Sequence, residues 1–298
     1  MTFSDDAIII MTGGLVATAC ALLGVFLVLR RQALLGDAVS HAVLPGIVVM
    51  FLLTGSRAPL PVIIGAAAFA LLCVLAIDAI RGTGLVKGDA AIGLVFPALF
   101  ALGVLGIDRY AADIHLDLDS TIYGEIAFAP FRTVAIGDAL VARSVLIAGI
   151  VALVDLLLVA VLWRRLKVTT FDPTFARTIG ASPDWTSRVL LLAVSITAVT
   201  AFDAVGAILV VTLLIVPAAA AYLLTDRLIG MIVIAVGIGW VAAIGGHAAA
   251  IEADASIAGS MGLVAAACFA VALLLAPRHG LVARRLALTR RRRAAARV

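Results

Sequence analysis

The sequence predicts an all-α fold, a polytopic bundle of transmembrane helices with about nine spans (eight to ten). Three observations point to it. The chain has 298 residues, 64% of them hydrophobic and only 13% charged. Apolar runs of about 20 residues, the length that crosses a bilayer as a helix, recur along it. Basic residues gather between alternate runs, as they do when loops change sides of a membrane. A β-barrel would need shorter, alternating strands, and that pattern is absent.

The runs fall at 7–29, 34–54, 60–80, 89–107, 139–163, 186–203, 205–224, 228–249 and 257–276. The first follows Met1-Thr-Phe-Ser-Asp-Asp6, which lacks the basic residues that open a signal peptide, so it reads as a span. The reversal near Asp203 is the tightest, and there two spans could instead be one broken helix. Arg30, Arg31, Arg81, Lys87, Arg164, Arg165, Lys167, Arg177, Arg188 and Arg227 fall on one side; Arg57, Arg109 and Arg132 fall on the other. The positive-inside rule makes the first side cytoplasmic, with the N-terminus outside and the C-terminus inside the cell membrane. Residues 1–283 form the membrane domain. Residues 284–298 form a basic tail of Arg284, Arg285, Arg290, Arg291, Arg292, Arg293 and Arg297, which reads as a cytoplasmic anchor against anionic lipid rather than a nucleic-acid site.

Two connections are long. The outer one, 108–138, is acidic, and a negative vestibule concentrates cations. The inner one, 164–185, contains Phe171-Asp-Pro-Thr-Phe-Ala-Arg-Thr-Ile-Gly180. Asp172 suits an N-cap, Pro173 the first helical position and Gly180 the end of a short helix. That helix would display Phe175 and Ile179 for docking into a partner's groove, with Ala176 between them; a tidy loop with no partner is the other reading.

Asp37 and His41 stand four residues apart in an apolar run, on one helix face. Ionisable groups at membrane depth are expensive and mark binding sites or pathways. A carboxylate with an imidazole suits a divalent transition metal. Pro45 removes the helical donor to the His41 carbonyl, and Gly36 and Gly46 allow neighbouring helices to approach. A proline kink with both polar groups bonded to other helices remains the alternative. Weaker candidates lie outside: His115, Asp117 and Asp119, which share one face of an extended strand, and the cluster of His247, Glu252 and Asp254. Asp155, deep in a span, should pair with a polar group on a neighbouring helix, and Asp203 could cap one. Pro97 and Pro217 should kink their helices. Cys20, Cys73 and Cys268 lie in apolar runs as core residues.

No GxxxxGK[ST], CxxC…CxxC or HExxH occurs, so the chain does not bind ATP through a P-loop and reads as a conduit rather than an enzyme. Leu35-Gly-Asp-Ala-Val-Ser-His-Ala-Val-Leu-Pro-Gly46 resembles the signature segment of the permease subunits of metal-ion ABC importers, the zinc/manganese/iron group. Lys87-Gly-Asp-Ala-Ala-Ile-Gly-Leu-Val-Phe96, Phe171–Gly180, Val205-Gly-Ala-Ile-Leu-Val210 and Leu214-Ile-Val-Pro-Ala-Ala-Ala-Ala221 are similar to further motifs of that group, in order. The resemblance implies a dimer of permeases, a cytoplasmic ATPase pair docked on the 164–185 segment and an extracytoplasmic metal-binding protein. It also implies contact of Asp37 and His41 with the ion. The cargo would be manganese, with zinc and iron close behind, and no cofactor would be held tightly. A gradient-driven carrier or channel and a non-transporting scaffold are the competing classes.

Overall fold

A computed structural model describes residues 4–34, 36, 38, 42, 44–55, 59–86, 88–110, 126–136 and 139–276. Asp37, His41, His115, Asp117, Asp119 and the basic tail lie outside the described residues. The helices are α1 (Asp5–Leu29), α2 (Leu44–Thr54), α3 (Pro59–Gly82), α4 (Gly88–Tyr110) and α5 (Arg143–Phe171), then α6 (Pro173–Thr178), α7 (Pro183–Val205), α8 (Ala207–Leu224), α9 (Leu228–Ala253) and α10 (Ile257–Leu275). Between α4 and α5 lie a 3-10 helix (Ile126–Phe131) and an antiparallel hairpin of β1 (Thr133–Ile136) and β2 (Ala139–Ala142). Among the described residues, eight helices are long and apolar enough to cross a membrane; α2 is a shorter apolar helix.

Helix α1 is the axis of the bundle. Its start is fixed by Ser4, whose hydroxyl accepts the Ala7 N–H, and by Asp5 and Asp6 in the first turn, which oppose the helix dipole. Small residues let four helices crowd against it. A methyl on Gly14 would strike the Trp240 ring of α9, one on Gly239 would strike Ala17, and one on Gly24 would collide with the Leu214 carbonyl of α8. Trp240 donates its indole N–H to Thr18 at 3.1 Å. Close approach of this kind replaces the hydrophobic effect, which gives helices no reason to associate inside lipid.

The hydrogen bonds place the ends of the helices. Thr12 and Ser144 meet near the starts of α1 and α5 (3.2 Å), while Arg30 reaches Thr169 and Thr170 at their far ends. Asp78 of α3 pairs with Arg188 of α7 at the same far end (3.5 Å). Following the chain, that end also carries Arg31, Arg81, Arg164, Arg165, Lys167, Arg177 and Arg227. Arg109, Arg132 and Arg143 lie at the opposite end. The charge segregation read from the sequence therefore holds in three dimensions.

Several boundaries differ from those expected. α5 does not begin at 139 or end at 163: residues 139–142 pair in the hairpin, and the helix continues to Phe171. Nothing in Arg164–Phe171 breaks a helix. Asp172, preceding Pro173, is pushed out of helical geometry (φ −142°, ψ 85°) and ends it. At Asp203 the chain does turn, but the turning residue is Gly206, at φ 83°. Its positive φ is open to glycine without penalty. α8 then heads back so that Ala218 and Ala221 pack on Ala21 and Val25 of α1. α4 and α8 run helically through Pro97 and Pro217.

Candidate functional site

The segment 164–185 carries a short helix with exposed apolar side chains at the basic end. The Asp172 carboxylate accepts the Phe175 N–H at 2.8 Å, Pro173 occupies the first turn of α6, and Gly180 (φ 76°) lets the chain leave it. α6 rests on Ala176, which is fully buried and whose carbonyl accepts the Ala181 N–H at 2.9 Å. Phe171, Phe175 and Ile179 are more than half exposed. These side chains and the last turns of α5 line an open groove of about 820 Å³, together with Trp163, Arg164, Arg165 and Lys167. The groove is thus lined by apolar side chains, three basic ones and the Asp172 carboxylate. Arg165 also stacks over Trp185 of α7, 5.7 Å from the ring centre.

The end of α1 meets this surface. Arg30 donates from Nε to Thr170 (2.9 Å) and from Nη2 to Thr169 (2.7 Å). Burial lowers its pKa to about 10, which still leaves it charged at neutral pH. Gln32 and Ser187 exchange two hydrogen bonds, 3.0 and 3.1 Å long. Sequence reasoning missed Arg30, Gln32, Thr169, Thr170 and Ser187, because partners about 140 and 155 residues apart leave no local signal.

Around the signature segment, the described neighbours confirm close packing. Ala33, Leu34, Gly36 and Ala38 are helical, Ala38 and Ala42 are buried, and Gly36 sits against Leu27 of α1. In α2, Gly46 and Gly65 of α3 pack backbone to backbone, with each residue's carbonyl where the other's methyl would be. Pro45 lies against Gly103 of α4, and Val48 against Gly106. The three helices thus fix the chain that leaves the signature segment.

Other expected residues are placed differently. His247 does not converge with Glu252 and Asp254. It is buried, with Nε2 3.2 Å from the Asp6 carboxylate, while Glu252 and Asp254 are exposed beyond it. Asp254 is the left-handed cap of α9, so its geometry is set by the turn. Among the described residues, no group of three or more His, Cys, Asp and Glu side chains could hold an ion. Asp155 is buried and accepts the Thr197 hydroxyl at 2.8 Å, the interhelical partner expected of it. Asp203 caps nothing; it is exposed and pairs with Arg132 at 3.4 Å. Cys20 and Cys73 are buried, and all three cysteines are free thiols.

The profile of the ABC 3 transport family matches residues 6–276. The chain belongs to that family. Among its relatives is the manganese transport system membrane protein MntD of Bacillus subtilis, 42% identical over 284 residues, which are 95% of this chain and 96% of MntD. The zinc transport system membrane protein TroD of Treponema pallidum is 44% identical over 276 residues, 93% of this chain and 75% of TroD. The solved structure of PsaBC from Streptococcus pneumoniae in complex with Fab superposes with a TM-score of 0.77 at 31% identity, over 93% of this chain and 94% of that one. This member of the family is a multi-pass membrane protein of the cell membrane, and its capped α6 lies within the matched region.

Proposed function

We propose that the chain is the membrane permease subunit of an ATP-driven importer of divalent transition metal, with manganese as cargo and zinc and iron as competitors. The observation that carries this reading is α6: a capped helix with exposed Phe175 and Ile179 beside a basic groove, on a membrane bundle of the ABC 3 transport family. Apolar anchors in one groove with Arg164, Arg165 and Lys167 suit a partner surface that offers both apolar and acidic groups. The partner is a cytoplasmic ATPase, since the chain has no P-loop of its own. Asp37 and His41 contact the ion in transit, and two permease copies or homologues assemble around the pathway. A binding protein outside supplies the ion.

A relative named for manganese and another named for zinc, at similar identity, support the metal class. Zinc binds nitrogen and oxygen ligands more tightly than manganese does, so a preference for manganese must come from site geometry and from the supplying protein.

Uptake of manganese-54 by cells lacking this chain tests the reading, with restoration by the wild-type chain. ATP-dependent uptake that excess zinc only partly suppresses is expected. Unchanged cellular manganese, zinc and iron in the deleted cells refutes it. Phe175→Asp should abolish ATPase co-purification through a tag on this chain, while the variant still reaches the membrane. Full co-purification would remove α6 from the docking role.

A further inference from the structure

Two ties run from the end of α1 to the two flanks of α6. On the N-terminal flank, Arg30 grips Thr169 and Thr170, the last hydroxyl residues before Phe171-Asp172-Pro173. On the C-terminal flank, Gln32 exchanges two hydrogen bonds with Ser187, in the first turns of α7. The chain between the ties is closed rather than slack. The Gln32 N–H bonds the Leu27 carbonyl (2.8 Å) and the Arg31 N–H bonds that of Val28 (3.1 Å), with Arg31 left-handed at φ 57°. This is the Schellman closure of a helix end, here built on an arginine in place of the usual glycine. Past it, the Gln32 carbonyl accepts the Gly36 N–H at 3.0 Å and so heads the turn of helix that contains Ala33, Leu34, Gly36 and Ala38. Asp37 lies in that stretch of the sequence.

We propose that Arg30 and Gln32 are positioning residues that transmit movement of the docking helix α6 to the helical turn beginning at Ala33. The inference rests on the permease reading above. A tie transmits displacement only if it is stiffer than its surroundings. Arg30 meets that condition through two charged, part-buried hydrogen bonds, and Gln32 through a paired bond in which both side-chain atoms are fixed. Gly36 seated on Leu27 keeps the turn against α1, so that the α1 end, the two flanks of α6 and the turn move as one body. The same network would act as a plain staple if this body never shifted relative to the rest of the bundle, and the test separates the two roles.

The complex, purified through a tag on this chain and reconstituted in vesicles, is assayed for manganese-54 uptake and ATP hydrolysis in the same sample. Gln32→Leu and Ser187→Ala are each expected to lower ions moved per ATP about fivefold or more, while the ATPase still co-purifies. Ser187→Thr, which keeps the hydroxyl, should retain the wild-type ratio. The double variant should be no worse than either single one, as for two partners in one bond. Uptake and hydrolysis that fall together in proportion to folded protein would make the ties a staple and overturn the proposal, as would a wild-type ratio in Gln32→Leu. A wild-type complex that hydrolyses ATP and moves no ion would overturn the permease reading itself, and the transmission role with it; that outcome needs no variant.

Discussion

Asp155 shows how a charged residue inside a span can be structural. Its carboxyl is buried between α5 and α7, and the Thr197 hydroxyl meets it. Thr197→Val keeps the shape and removes the partner, which costs about 1–3 kcal/mol for an unsatisfied buried group. Its melting midpoint in detergent should fall below that of Asp155→Asn, whose amide still bonds Thr197; equal midpoints would remove the bond from the account. Transport should rank the other way. Asp37→Asn should lower manganese-54 uptake more than Asp155→Asn does, because only the first removes a proposed ion contact. The reverse order would move the ion site to α5. The sequence does not say whether Asp155 is spoken for. The position of Thr197 does, and 42 residues separate it from Asp155.

At the scale of elements, the glycines divide into those that let helices touch and those that do not. Gly24 faces the Leu214 carbonyl and Gly46 faces Gly65, both backbone to backbone, so an added methyl has nothing flexible to displace. Gly24→Ala and Gly46→Ala should each destabilise by about 1–3 kcal/mol through overpacking. Gly237 has nothing within 4 Å of where a methyl would go. Gly237→Ala should therefore be neutral, or stabilise α9 by up to about 1 kcal/mol. Thermal midpoints of the three variants check this contrast, and a loss at Gly237 as large as at Gly24 would contradict it. The α5–α6 junction was half legible. Asp172, Pro173 and Gly180 announced α6 by local chemistry, but the extension of α5 to Phe171 depends on what the last turns pack against. Leu166 and Thr169 are buried there, which holds a polar stretch in the helix.

Over the whole molecule, charge segregates to one end of the bundle, and the positive-inside rule turns this into an orientation. Ile179→Cys, exposed at the end of α6, should resist a membrane-impermeant maleimide in intact cells and react after lysis. Glu252→Cys, exposed at the opposite end, should react in intact cells. Labelling of Ile179→Cys from outside would invert the assignment. The sequence by itself determined the membrane class, the order of the helices, the basic end and the short capped helix α6. Each of these follows from local composition or from residues within one turn of each other. Only the tertiary structure decided that Asp155 belongs to Thr197 and that His247 belongs to Asp6, not to Glu252 and Asp254. The same holds for the bracketing of α6 by Arg30 and Gln32. Those pairings join distant stretches of chain, and in an apolar bundle a polar group's partner is set by which helices lie side by side. That choice is made by small residues such as Gly14, Gly24 and Gly239, whose role appears only once the helices are in contact.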